Sequence, residues 1–506
     1  MRLETFFEKF DQFADTPDAV AKTRGLLIHF AVSGKLSPND PLEKPVDISL
    51  SGPPSDEVGV PSNWRCGLVG DAFTLEYGDN LPAPKRTETG EYPVYGSNGI
   101  VGTHDTYLTK EPAIIVGRKG SAGALNIADG PSWTTDVAYF VRPPKDLDLR
   151  FVYYLFSTLQ LDELGKGIKP GLSRKEAYAL PIALPPLAEQ KRIVAKVDEL
   201  MALCDRLEAQ QQERDTRQAA LARASLARFA DAPTPANLEL LFHPSYAIPP
   251  ADLRKSILTL AVQGKLVPQD PDDEPADALL EAIQAEKLSL VKRGLLRRAD
   301  TIDRKLYGTL PDGWSPATLA EMCVAVTDGD HLPPPKAETG VPFLVIGNVR
   351  WGGIDFESCR YVAEEYFNKL DWIRKPVPGD VLYTLVGSFG IPVLVGNVRP
   401  FCVQRHIGIL RPSKHVDRGY LAYALASGSV LQQVTAIATG IAQKTVPLAG
   451  LRRVKVPLPP LAEQRRIVAK VEQLMALVDA LEQQLAASRA TAANLLSALI
   501  AELTAA

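Results

Sequence analysis

Two stretches of the chain carry apolar residues at alternating intervals of four and three. One runs Ile193, Val197, Leu200, Cys204, Leu207; the other runs Ile467, Val471, Leu474, Val478, Leu481. That spacing is the narrow seam of a helix packed lengthwise on another helix. Pro185 and Pro186 precede the first seam, Pro459 and Pro460 precede the second, and Pro233 lies beyond the first. Proline at a helix start and past its end punctuates long helices over 184–231 and 458–506. A helix of ~43 residues spans about 65 Å. The first seam turns polar at Gln211, Arg214 and Gln218 and resumes at Leu221, whereas the second continues through Leu485, then Ser488, Ala492, Leu495 and Leu499.

Ahead of each long helix the pattern changes. Short β-branched and aromatic runs alternate with glycine-containing turns: Tyr92–Tyr95, Ala113–Val116 and Val137–Val141, then Val341–Ile346, Asp380–Leu385 and Ile391–Val395. These predict two mainly β modules with a few helices, over 61–183 and 309–457. Residues 1–60 read as a helical element and linker, with Phe6, Phe7, Phe10 and Phe13 at helical spacing. Residues 232–308 read as a proline-rich joint, a second helical element and a charged helix around Asp277–Arg298.

The chain repeats itself. Leu184–Glu208 matches Leu458–Glu482 at 20 of 25 positions, 274 residues apart. Gly34-Lys-Leu36 recurs as Gly264-Lys-Leu266 after 230 residues, and Trp64 recurs as Trp314 after 250. The modules between these markers diverge. This is a constant helical frame carrying two exchangeable modules, an internal pseudo-twofold repeat. The seams match in period and length, which predicts an antiparallel coiled coil. No Gly-Lys-Leu element follows the second long helix, so the copy at 23–36 is expected to fold back into that place.

Charge and motifs narrow the function. The net charge of −4 argues against whole-surface binding to nucleic acid and leaves room for a local basic groove. Five scattered cysteines without a Cys-x-x-Cys, and six histidines without ligand spacing, point to reduced thiols and no metal site. The N-terminus lacks a signal-peptide core, and no run of 18 apolar residues occurs, so a cytoplasmic location is expected. There is no P-loop, no dinucleotide fingerprint, no Asp/Asn-Pro-Pro-Tyr/Phe and no Gly-x-Ser-x-Gly, which predicts a non-catalytic chain.

Each module does place glycines beside basic and amide residues. The first offers Lys85, Arg86, Ser97, Asn98, Arg118, Lys119, Ser121, Lys166, Lys169 and Arg174. The second offers His331, Asn348, Arg350, Ser388, Arg405, His406, Gln443 and Lys444, with Asp330 beside them. Gly120-Ser121-x-Gly123 corresponds in place to Gly387-Ser388-x-Gly390. Glycine turns let backbone approach a phosphate closely, and arginine, asparagine and glutamine can read base edges.

The doubled Leu-Pro-Pro-Leu-Ala-Glu-Gln (184–190, 458–464) before a long helix resembles the specificity subunits of type I restriction–modification systems. Gly264–Pro271, Pro311-Asp-Gly-Trp314 and Gly90–Gly99 add to the resemblance. It implies an α+β fold in which two target recognition domains each read half of an interrupted, asymmetric DNA sequence. The antiparallel coil would set the gap. Double-stranded DNA, two methyltransferase subunits and restriction subunits would be the partners. S-adenosylmethionine, ATP and magnesium would lie on those partners, with no cofactor on this chain. The alternative is a coiled-coil scaffold that binds proteins without reading DNA.

Overall fold

A computed structural model of the chain describes residues 16, 18–164, 171–242, 248–296, 309–331, 334–396, 398–440 and 443–505. Phe6, Phe7, Phe10, Phe13, Lys166, Lys169 and Arg298 therefore lie outside the described residues. The chain divides into two compact units, Met1–Arg214 with Arg489–Ala506, and Asp215–Ser488.

The first unit opens with α1 (Ala19–Val32) and holds strands β1 (Arg65–Leu68), β2 (Glu76–Tyr77), β3 (Tyr92–Tyr95), β4 (Ile100–His104), β5 (Ala113–Gly117), β6 (Leu125–Ala128), β7 (Trp133–Thr134), β8 (Ala138–Val141) and β9 (Pro181–Leu184). Helices α2 (Leu149–Ser157) and α3 (Arg174–Tyr178) follow, then the long α4 (Leu187–Asp231), which continues into the second unit. The strands form sheets β2-β8-β5-β6, β4-β3-β7 and β1-β9. Every residue of β5 is buried, as its unbroken apolar run requires of a central strand. Helix α2 starts where the Asp148 carboxylate accepts the amides of Arg150 and Phe151, and it buries Phe151, Val152, Leu155 and Phe156.

The second unit contains α5 (Pro235–Leu241), α6 (Pro250–Val262) and α7 (Ala276–Lys292). Its strands are β10 (Ser315–Thr318), β11 (Cys323–Asp328), β12 (Val341–Leu344), β13 (Val349–Arg350), β14 (Gly353–Ile354), β15 (Arg360–Val362), β16 (Val381–Thr384), β17 (Pro392–Leu394), β18 (Cys402–Val403), β19 (Ile407–Pro412) and β20 (Lys455–Leu458). Helices α8 (Arg418–Ala426) and α9 (Leu448–Arg452) lead to the long α10 (Leu461–Ala505). The sheets β11-β19-β16-β17, β15-β12-β18 and β10-β20 repeat the first unit strand for strand. Even the parallel pairs correspond: β3 with β7, and β12 with β18. The β13–β14 hairpin is an addition of the second unit.

The repeated Glu-Gln at the head of each long helix is the knot that ties module to frame. Glu189 accepts the Trp64 indole N–H at 3.0 Å and the Asn39 amide at 2.9 Å. Gln190 accepts the Asp148 amide at 2.7 Å and donates to the Pro185 carbonyl at 2.8 Å. In the second unit, Glu463 accepts from Trp314 at 2.9 Å and Gln269 at 3.1 Å, and Gln464 joins Asp417 and Pro459, both at 2.8 Å. All four side chains are buried. Burial raises the pKa of both carboxyls, against the hydrogen bonds they accept. Gly34 and Gly264 have φ of 72° and 67°. A Cβ there would lie 2.7 Å from Pro61 and 2.4 Å from Pro311, so the turn can press on the module's entry.

The seams are buried except at the half-buried Leu207 and Leu481, and their partners differ from a simple two-helix coil. Ile193 and Val197 belong to the core of the first module, with Trp64, Phe151 and Leu184. Leu200 and Cys204 pack with Val20 and Leu27 of α1. Leu207 is the seam position that joins the other long helix, in a cluster with Leu26, Phe30, Leu496 and Leu499. In the second unit, Ile467, Val471, Leu474 and Val478 share one core with Leu253 and Ile257 of α6 and with Ala222 and Phe229 late in α4, and Leu481 packs against it. The long helices thus pack together within each unit, the front of one with the back of the other, which is the antiparallel order. The upstream seam is recruited by the modules because Glu189 and Glu463 fix those turns against Trp64 and Trp314. Helix α1 sits on the end of α10 as α6 sits on the end of α4, the fold-back expected of the first Gly-Lys-Leu element.

Candidate nucleic-acid interface

The Gly-Ser-x-Gly turns are equivalent in geometry. Gly120 and Gly123 have φ of 81° and 82°, and Gly387 and Gly390 have 67° and 92°. Gly123 donates its amide to Gly117 at 2.8 Å, as Gly390 does to Thr384 at 3.0 Å. A returning segment then crosses each turn. Lys119 bridges Gly171 and Leu172 donates to the Arg118 carbonyl; Val386 bridges Thr445 and Val446 donates to the Leu385 carbonyl. This register pairs Arg118 with Leu385, and Arg174, which opens α3, with Leu448, which opens α9. The ladders pair Tyr77 with Tyr139 and Asp328 with Gly408, which puts Tyr77 and Asp328 in one place.

In the first module the Arg174 guanidinium lies 4.2 Å from the Tyr77 ring centroid and that of Arg118 lies 5.1 Å from it. Arg118 also lies 5.8 Å from Tyr139 and donates to the Asp136 carbonyl at 2.7 Å. Arg174 donates to the Leu75 carbonyl at 3.3 Å. The Tyr77 hydroxyl is held below its ordinary pKa, first by its hydrogen bond with Tyr139 and then by the charges of Arg174 and Arg118. Ser97 and Ser121 flank this cluster through their carbonyls, each within 2.4 Å of where a Gly117 Cβ would stand. Asn98, Lys119 and Ser121 are exposed beside it. Lys85 and Arg86 sit apart on a turn against β4, where Arg86 donates to the Leu81 carbonyl at 2.9 Å.

The second module solves the same place with acids. Asp328 holds His331 at 3.1 Å, and Asp330 accepts from the Tyr366 hydroxyl at 2.8 Å and faces Arg374 at 3.6 Å. A cavity of about 280 Å³ opens there, lined by Asp330, His331, Lys336, Arg360, Gln404 and Arg405 among others. Arg405 donates to His406 at 3.3 Å, and burial together with the Arg405 charge lowers the His406 pKa. Ser388, Gln443 and Lys444 are exposed around the glycine turn, and the Lys444 carbonyl accepts the Gly387 amide at 3.0 Å. Asn348 is different. It is 2 % exposed and spends both ends of its amide internally, on the Val345 amide and the Ser358 hydroxyl. Asn348 is a structural cap, an outcome its sequence neighbours do not reveal. Arg350 leans on the Gly347 carbonyl and lies 3.8 Å from Asp355.

Sequence reading missed Tyr77, Asp328, Arg360, Arg374 and Gln404, since strands far apart in the chain bring them together. One signal was available: Tyr77-Gly78-Asp79 and Asp328-Gly329-Asp330 share a Gly-Asp pair. At both glycines a Cβ would collide with a backbone oxygen, at 2.1 and 1.9 Å.

No helix among the described residues is long and apolar enough to cross a membrane, and no group among them could hold a metal ion. The family model for the type I restriction modification DNA specificity domain matches twice, over residues 61–214 and 311–488. The chain is 27% identical over 418 residues to the Escherichia coli type I restriction enzyme EcoEI specificity subunit, covering 75% of this chain and 68% of that one. It is 33% identical over 269 residues to the Escherichia coli EcoAI specificity subunit, covering 50% of this chain and 44% of that one. A solved chain from a study of complex assembly and conformational transition of the type I system aligns with 87% of this chain and 97% of its own, at 18% identity and a TM-score of 0.47. With the family model matching once around each module and the long helix behind it, the chain belongs to the type I restriction–modification DNA specificity family.

Proposed function

We propose that residues 61–183 and 309–457 are the two target recognition domains of this specificity subunit, each reading one half of a bipartite, asymmetric DNA target. As a specificity subunit the chain is non-catalytic, and S-adenosylmethionine and ATP belong to other subunits of the complex. Two methyltransferase subunits and the restriction subunits dock on it, and the long helices fix the gap between half-sites. One observation carries the reading: a single strand topology, anchored to the frame by the same Glu–Trp bond, presents two different surfaces. Contacts in the first domain come from Lys119, Ser121, Arg118, Arg174, Ser97 and Asn98, with Lys85 and Arg86 on a second turn. In the second domain they come from His331, Arg405, His406, Ser388, Gln443 and Lys444.

Replacing residues 61–183 with another such domain tests this. Sequencing of methylated bases in cells carrying the complete system should show one half-site changed, with the other half and the gap intact. A change in both halves would sink the assignment. A four-residue insertion near Gln211 adds about one helical turn. It should lengthen the gap and leave both half-sites as they were.

A further inference from the structure

The frame folds with leucine where the first module has arginine. Leu385 and Leu448 occupy the places of Arg118 and Arg174, and Asp328 occupies that of Tyr77. The two arginines are therefore a property of the first module rather than a requirement of the architecture.

Their surroundings differ from those of the salt-bridged arginines of the frame and the second module. Arg24, Arg192, Arg254, Arg411 and Arg466 each hold a carboxylate at 2.6–2.7 Å. Among the described residues, Arg118 and Arg174 hold none. Glu76, the acid beside Tyr77 on β2, is taken by Arg142 at 2.6 Å. Asp136 gives Arg118 its carbonyl. The Arg118 Nε is buried with no hydrogen-bond partner. Two like charges converge on one phenol ring, each guanidinium is oriented by a carbonyl, and Tyr77 itself is 49% exposed. A stacked guanidinium keeps its planar fork pre-organised and loses little entropy on binding. Two such forks without an acid make a fixed, doubly positive locus beside the Gly120-Ser121 turn.

We propose that Arg118 and Arg174, stacked on Tyr77, clamp one backbone phosphate of DNA at the first module's half of the target, and that the second module makes no such contact at the equivalent place. This rests on the reading that residues 61–183 bind DNA. A phosphate suits the site better than a base edge, because two adjacent unpaired cations call for a charged oxygen and a base edge has none. Tyr77 is a positioning residue that acts through the arginines.

The test uses the full chain in its methyltransferase complex and a duplex carrying the target mapped by sequencing of methylated bases. Affinity is measured across salt concentrations for wild type, R118L/R174L, Y77F and Y77L. The leucines are those the second module already accommodates, so the double variant should fold, as a melting curve verifies. Losing one phosphate contact lowers the slope of log affinity against log salt by about 0.9. The expected result is that drop in R118L/R174L with base preference unchanged. Y77L should drop likewise, and Y77F, which keeps the ring, should retain the wild-type slope. An unchanged slope in R118L/R174L overturns the clamp, as does relaxed preference for bases without a slope change. A Y77F variant that behaves as Y77L overturns the stacking role. If wild type binds target and scrambled duplex alike, the recognition-domain reading fails and the clamp with it.

Discussion

The two β modules differ beside the glycine turn and agree where they meet the helices. Tyr77 with its two arginines in one stands where Asp328 and two leucines stand in the other, on sheets of identical strand order. The attachments, by contrast, agree atom for atom: indole to glutamate at 3.0 and 2.9 Å, glutamine to the cap residue of α2 and α8 at 2.7 and 2.8 Å. Buried ladders and a buried polar knot specify the architecture, so the loops above them are free to carry other chemistry. A specificity subunit needs that separation, since its reading surfaces must change without loss of assembly.

If the halves are equivalent, matched substitutions must cost the same in each. The largest effect belongs to Trp64→Ala and Trp314→Ala. Each removes a buried aromatic and leaves a buried carboxyl short of a donor, so each should cost about 3–5 kcal/mol in urea unfolding. A loss confined to one half would break the equivalence. Glu189→Ala and Glu463→Ala come next. Each leaves the indole N–H without its acceptor, at about 1–3 kcal/mol.

Glu189→Gln and Glu463→Gln sharpen the comparison through pH. Burial raises both carboxyls above the ordinary value of 4.5, so the native state binds more protons than the unfolded chain just above that value. The stability this contributes is present below pH 4.5 and is lost as pH rises through the raised pKa. Stability of each glutamine variant relative to wild type should therefore climb with pH over that window and then level off. A flat difference between pH 4.5 and 8 in urea titrations would refute the buried, raised carboxyl.

The smallest effect tests the helices. Arg24 joins Asp205 and Glu208, and Arg254 joins Asp479 and Glu482, with arginine exposures of 30% and 31%. Partly exposed pairs of this kind are worth under about 1 kcal/mol. Arg24→Ala and Arg254→Ala should lower stability by equal, small amounts in the same unfolding experiment.

Much of this architecture was legible in the residues alone. Apolar spacing placed both long helices, expected over 184–231 and 458–506 and observed as Leu187–Asp231 and Leu461–Ala505, because a seam of that length has no other regular solution. The β-branched and aromatic runs expected as strands at Ala113–Val116 and Asp380–Leu385 are observed as Ala113–Gly117 and Val381–Thr384. The apolar residues from Leu149 to Leu164 form no single helix: α2 ends at Ser157, and a separate turn of helix takes Leu161–Leu164. The repeat named Glu189, Gln190, Glu463 and Gln464 without saying what they hold. Their partners lie as much as 194 residues away, and only folding brings Asn39, Trp64, Gln269 and Trp314 to them. The seam's division between module, α1 and partner helix was likewise beyond periodicity, which states that a face is buried and not what covers it. So it was with Asn348, a cap, and with Arg118 and Arg174, a stacked pair. Their neighbours in sequence are alike in kind, and their roles come from strands and loops that only the tertiary structure sets side by side.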